Sequence, residues 1–261
     1  MNTFRVFRAF FQANLQQDLA YRADTVVNIV VSIFWLGWDL AGLSIIFANT
    51  QDINGWRTGD LVMLLGVFRL INVLAQMVIW PNTELFNRGI REGTLDYTFL
   101  MPANSQALVS IRRIVVWQAF NIIVSIALLA GGLVMVGGSV TALSMLSFVV
   151  LVISGMALIY SLWIVLISLT FWFTKFDNNV TLLQALLDTG RFPATVYPIW
   201  LRILVTFIVP IAVATTVPLQ ALRGELELWQ ILAYLAAGVA GFWFATRVWK
   251  AGSRKYSGAS A

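Results

Sequence analysis

The chain contains no cysteine and no histidine, and only 11% of its 261 residues carry charge. Without those two residue types there is no thiolate nucleophile, no Cys/His zinc site and no imidazole acid–base chemistry. Their absence leaves the redox compartment undecided. A G-x-x-x-x-G-K-[ST] phosphate loop is also missing, and no Gly-Lys pair occurs anywhere, so the chain has no such site for a nucleotide. The acidic residues are scattered without a D-x-x-D cluster, which leaves a lipid-modifying membrane enzyme or an intramembrane protease without recognisable machinery. Apolar residues are what the chain has in excess: 59% are hydrophobic, including 11 Trp and 18 Phe. A soluble core of this size cannot bury that much apolar surface, so lipid is the solvent for most of the chain.

A membrane-crossing helix needs about 20 mostly apolar residues. Six stretches qualify: Thr25–Ala48, Leu61–Pro81, Ala107–Val136, Ala142–Thr174, Ile199–Leu222 and Leu228–Val248. Ahead of them Phe4, Phe7, Phe11, Leu15 and Leu19 recur every three or four residues, with Arg5, Arg8, Gln12 and Gln16 on other faces. That pattern fits an amphipathic helix lying in the headgroup layer, or an ordinary packed helix, but no cleavable signal peptide. With the N-terminus inside, the inner loops receive nearly all the Lys and Arg, including Arg191 and Arg202. The outer loops receive only Arg57 and Arg223. Cytoplasmic loops retain basic residues, so both termini are expected in the cytoplasm of an inner-membrane-type protein. The net charge of +5 then follows from orientation and requires no nucleic-acid partner. The expected fold is all-α: a polytopic membrane protein with six transmembrane helices in a single domain over residues 1–261. Residues 1–22 form the interfacial helix, and residues 82–106 and 177–198 form two cytoplasmic segments.

The first cytoplasmic segment is too long and too charged for a plain connector, which spans only about 2–8 residues between packed helices. Glu84, Arg88, Arg91, Glu92 and Asp96 fall close together. The spacing predicts a short helix capped by Asn82 or Thr83, with Glu84 near its start and the arginines toward its end. Gly93 would stop it, and Pro102 bars a smooth continuation. Leu95, Phe99, Leu100 and Met101 remain available to pack. A docking surface and a passive solvated loop both fit this pattern.

The residues Arg91, Gly93, Leu95, Asp96, Leu100 and Pro102, with Phe99 beside them, resemble the "R-x-G-x-L-D-x-x-L-x-x-P" cytoplasmic segment of ABC exporter permeases of the second type. The stretch from Gly190 to Leu222 and the tail WKAGSRKYSGASA resemble two further regions of that family, in the right order. The resemblance implies a permease of an ATP-driven exporter that translocates a hydrophobic or amphiphilic drug, lipid or natural product. It implies a separate cytoplasmic ATPase that binds ATP and Mg, with no cofactor in this chain. Glu84, Arg88, Arg91, Glu92, Leu95, Asp96, Phe99, Leu100, Met101 and Pro102 would couple to that ATPase. Arg191, Phe192, Pro193 and Tyr197 would make a smaller second contact, although an interfacial helix feeding the fifth span fits them equally. A six-span permease is half of a translocation unit. The resemblance favours a heterodimer with a second permease, and a homodimer also fits. The competing class is a channel or a non-transport assembly subunit, for which no filter sequence or pore-facing polar ring is found.

Two ionisable residues fall deep within spans, Asp39 in the first and Arg69 in the second. At 1.5 Å per residue both lie about 18–21 Å from the cytoplasmic interface. Leaving either charge unpaired there costs at least about 2.5–3.5 kcal/mol, so an Asp39–Arg69 ion pair is expected. It would serve as a helix clamp or as a substrate contact. Asn72, Asn121 and Ser125 are milder polar candidates for lining a pathway. Small residues Ser154, Gly155, Ser161 and Ser168 suggest close helix packing, and Pro210 and Pro218 should kink the fifth span.

Overall fold

In the computed structural model the described residues are 3–256, apart from 21, 51, 52, 54, 102, 138, 139 and 174–178. Pro102, Lys175 and Asp177 therefore lie outside the described residues. The described elements are helical throughout. The apolar runs become α1 (Thr3–Ala20), α2 (Arg22–Asn49), α3 (Thr58–Leu74), α7 (Ala119–Val136), α8 (Ala142–Leu169) and α12 (Leu228–Ser253). Shorter helices fill the spaces between them: α4 (Trp80–Arg91), α5 (Leu95–Leu100), α6 (Ser105–Ile111), α9 (Asn179–Asp188), α10 (Ile199–Ile203) and α11 (Ile211–Leu222). Five of the helical runs are long and apolar enough to cross a membrane. α3 and α8 form the interior, whereas α2, α7 and α12 turn most of their apolar side chains outward, as lipid solvent permits.

The second span does not end where its sequence suggested. α3, a π turn at Ala75–Ile79 and α4 run on as one 34-residue rod from Thr58 to Arg91. Asn82 and Thr83 are therefore not caps but buried residues within that rod. Pro81 is tolerated because it enters just after the π turn, where the hydrogen-bond ladder is already displaced. Gly93 ends the rod with φ near +69°, a conformation in which a β-carbon would be strained.

The third span is also not continuous. Its N-terminal part breaks between α6 and a 3-10 turn at Val116–Gln118, and many of the backbone groups freed there find partners. Asn82 accepts from the Arg113 N–H at 2.8 Å, and its amide lies 3.0 and 2.7 Å from the Ser110 and Arg113 carbonyls. The Val115 N–H donates to the Met77 carbonyl, within the π turn. Asp18 of α1 accepts from the N–H groups of Val116 and Trp117 at 2.7 and 3.3 Å and pairs with Arg113 at 3.2 Å. Unpaired backbone in a low-dielectric setting costs several kcal/mol per group, so this set of partners is what makes the break tolerable. α1 is thus more than a surface float, since its polar side locks onto the break.

Close backbone approach joins the long helices. α3 meets α7 through Gly59, Gly66 and Gly132, and a β-carbon on Gly132 would fall 2.6 Å from Met63 and 2.7 Å from the Gly59 carbonyl. α8 meets α11 where Gly155 faces Ala214, and α12 where the Ser154 hydroxyl donates to the Tyr234 carbonyl at 2.8 Å. Small residues at these positions supply the packing that hydrophobicity cannot supply within lipid.

The fifth span needs correction. Helices Ile199–Thr206 and Ile211–Leu222 meet at 92° around Pro210, a reversal rather than the kink expected of Pro210. One end of the molecule carries Arg22, Arg91, Arg112 and Lys250 and is termed the basic end; Trp56, Gly137 and Arg223 mark the far end. Leu222 leads into Arg223, which lies 3.6 Å from Asp60 at the far end and stacks over the Trp56 ring. Ile211, at the other end of the same helix, packs on Gly190 in the interior. Upstream, Trp56 donates to the Thr195 hydroxyl at 3.0 Å, so residue 195 is already at the far end. Residues 199–222 therefore enter from the far end and return to it. The fifth crossing is made by residues 179–198: α9 packs on α4 and α8, and the chain then passes Asp39 and reaches Trp56. Arg202 bonds to the carbonyls of Ala194, Thr195 and Tyr197, which places it at the far end and not among the basic-end residues.

Candidate functional site

Asp39 of α2 and Arg69 of α3 face each other. Arg69 donates from Nε at 3.1 Å and from Nη2 at 2.7 Å to the same carboxylate oxygen. Arg191 takes the other oxygen, forming a second ion pair. Asp39 is 9% exposed, Arg69 14% and Arg191 46%. One carboxylate thus serves two guanidinium groups, one held in the interior and one at the edge of a cleft.

That cleft has a volume of about 560 Å³ and lies between α2, α3, α7 and α9. Asn28, Asn72, Gln76, Asn121, Gln184, Asp188, Trp35 and Trp117 line it beside the ion-paired group. Asn72 donates to the Phe68 carbonyl within its own helix, and Asn121 donates to Gln118 and accepts from Ser32. Ser125 does not line the cleft. It is fully buried, bonded to the Asn121 carbonyl, and helps α7 approach Gly66. On the far side of the Asp39–Arg191 pair lies a smaller pocket of about 220 Å³, lined largely by apolar residues including Trp38, Leu61, Leu65 and Phe192. The ion pair is a shared wall between a polar and an apolar compartment.

The residues anticipated as a second cytoplasmic contact are not at the basic end. Arg191 is on Asp39, Phe192 lines the apolar pocket, Pro193 precedes the turn that reaches Trp56, and Tyr197 donates to the Thr189 carbonyl. The first part of the 177–198 segment is instead α9, which runs through the interior with Leu183 and Leu187 buried.

At the basic end, α4 and α5 present Glu84, Arg88, Arg91 and Glu92 outward. Tyr97, Leu100 and Met101 are exposed beside them at 69%, 80% and 43%. Leu95 is buried, and Phe99 turns inward with Phe86 to meet Phe171, Trp249 and Tyr256, ring centroids 5.4–6.4 Å apart. Asp96 lies near the Tyr256 hydroxyl, which is buried and makes no hydrogen bond of acceptable geometry. The Tyr256 phenol is pushed up to about 12, by burial first and by the Asp96 carboxylate second. Thr83 accepts from the Trp163 indole at 2.6 Å and so ties this end of the rod to α8. The exposed patch thus rides on a stiff assembly of α4, α5, α8 and α12.

A match to the model of the ABC-2 family transporter proteins extends over residues 33–260. The chain belongs to the ABC-2 transporter family. No match is found among curated proteins or among solved structures. Family membership makes the chain a multi-pass membrane permease of an ABC transporter and implies pairing with an ATPase subunit. In this permease three features escaped sequence reasoning. Arg191 was placed in a loop because its flanking Gly190 and Pro193 look like turn residues. Asn82 resembled a cap because it precedes a charged stretch. Asp18 carried one signal, an acid in a helix otherwise decorated with Arg and Gln, but its target at Val116 lies 98 residues away.

Proposed function

We propose that the permease is the membrane half of an ATP-driven exporter for an amphiphilic or hydrophobic compound. The basic end faces the cytoplasm of an inner-membrane-type bilayer, and both termini lie there. The ATPase, which binds ATP and Mg, seats on Glu84, Arg88, Arg91 and Glu92 together with Tyr97, Leu100 and Met101. The observation that carries this reading is the exposed apolar patch, ringed by charge, on helices continuous with a membrane span. Leu95, Asp96 and Phe99 act from behind it by linking the patch to α8 and α12, so that force on α4 and α5 reaches two spans directly. Arg191, Phe192, Pro193 and Tyr197 belong to the cleft side of the machine. A second permease, different in sequence, completes the unit; a second copy of this chain is the other arrangement. Export is tested with inside-out vesicles containing the permease and its genomically adjacent ATPase. ATP-dependent uptake of a labelled amphiphile supports the reading, and ATP-independent flux of small ions would favour a channel.

A further inference from the structure

Resting on the permease reading, we infer that the cleft binds the headgroup of a zwitterionic amphiphile, one carrying both an amine and a phosphate or carboxylate. The cleft volume of about 560 Å³ falls in the range of small-ligand sites. Its four charged side chains are Asp39, Arg69, Asp188 and Arg191, formally neutral together but not evenly paired. Asp39 is occupied by both arginines, whereas Asp188 forms no ion pair or hydrogen bond among the described residues. The cleft therefore has a surplus of positive charge at Arg69 and Arg191 and an uncompensated carboxylate at Asp188.

Those two poles are close in sequence. Asp188 ends α9 and Arg191 ends the 3-10 turn that follows. In a 3-10 turn the backbone rises about 2 Å per residue, so the two side chains leave the backbone about 6 Å apart along it, and both reach the same cleft. An anionic head alone would meet the Asp188 carboxylate, and a cationic head alone would meet the surplus guanidinium. A neutral head would leave the Asp188 carboxylate uncompensated and the two guanidinium groups sharing a single carboxylate. A head with an amine and an acid group a few bonds apart satisfies both. Trp35 and Trp117 offer ring faces suited to an ammonium, and the Asn28 and Gln184 amides, unbonded among the described residues, supply further donors and acceptors. Exposed Val31 and Trp35 at the cleft edge let acyl chains remain in the bilayer. The Asp39–Arg191 pair walls off the apolar pocket, so the head rests in the polar compartment.

The test uses the full chain in a non-ionic maltoside detergent, without added zwitterionic lipid and without ATP or ATPase. The probes are acyl-labelled phosphatidylethanolamine, phosphatidylglycerol and diacylglycerol. Phosphatidylethanolamine is expected to bind about tenfold more tightly than phosphatidylglycerol, the effect of one satisfied charge, and to exceed diacylglycerol by more. Asp188→Asn should remove its advantage over phosphatidylglycerol, and Arg191→Gln should narrow its advantage over diacylglycerol. Equal affinity for the three probes, or preference for phosphatidylglycerol, overturns the inference from the wild-type chain alone, whether or not the variants fold. An unchanged preference in a folded Asp188→Asn variant overturns it as well. Competition by water-soluble glycerophosphoethanolamine would assign the site to the head alone, and lack of competition to the intact lipid. Selective binding in this ATP-free test, together with no ATP-dependent uptake in the vesicle test, would sink the exporter reading while leaving this one standing.

Discussion

Removing the shared carboxylate should be more damaging than removing either arginine. Asp39→Asn strands two guanidinium groups that now share one partner. Breaking a buried pair by deleting one member costs about 3–5 kcal/mol. Arg191, 46% exposed, can relax toward water, so its share is discounted and the low end applies, about 3 kcal/mol. Arg69→Met leaves Asp39 still paired with Arg191 and should cost about 2 kcal/mol. Arg191→Gln removes the most exposed member and should cost under about 1 kcal/mol. For a chain of this length 1 kcal/mol corresponds to about 2–4 °C in Tm, so Asp39→Asn should melt about 6–12 °C below wild type. The assay is thermal unfolding in a mild detergent, followed by tryptophan fluorescence. A double Asp39→Leu/Arg69→Leu variant, which removes the buried pair and leaves only the half-exposed Arg191 without its partner, should recover most of the loss. If Asp39→Asn melts within about 2 °C of wild type, or no lower than Arg191→Gln, the carboxylate does not hold the three elements together.

Asn82→Ala should lower stability by about 2–4 kcal/mol, since it frees the Arg113 N–H and two carbonyls at the break in the third span; detergent-titration unfolding checks this. Leu100→Asp and Met101→Asp, at exposed positions, should leave the permease folded and monodisperse yet weaken co-purification of its ATPase at least tenfold, the cost of placing an unpaired charge in a docking patch. Tyr256 has a raised pKa in the fold, so its contribution to stability is complete below about pH 10 and is lost as pH rises toward about 12. The difference in unfolding midpoint between wild type and Tyr256→Phe should therefore be flat up to pH 10 and change above it. A Tyr256 that titrates near 10 in the folded permease contradicts this.

The membrane class, the helical fold and the positions of α2, α8 and α12 were legible without coordinates, because span length and hydropathy are local, additive properties of the chain. Asp39 and Arg69 could be matched by depth, since a helix converts residue count into distance. Gly93 and Pro210 were recognisable as interruptions, because glycine tolerates positive φ and proline lacks an N–H whatever surrounds them. What interruption each one makes was not legible. The 92° reversal around Pro210 depends on Ile211 seating against Gly190 and Arg223 reaching Asp60, contacts between residues distant in sequence. The same holds for the break before α7, which exists only because Asn82, Met77 and Asp18 arrive from three other elements to receive its backbone. Arg191 illustrates the limit most plainly: next to Gly190 and near Pro193 it reads as a loop cation for the cytoplasm. Tertiary packing instead carries it onto a carboxylate 152 residues earlier, because a charge inside a membrane protein goes wherever a partner can be found.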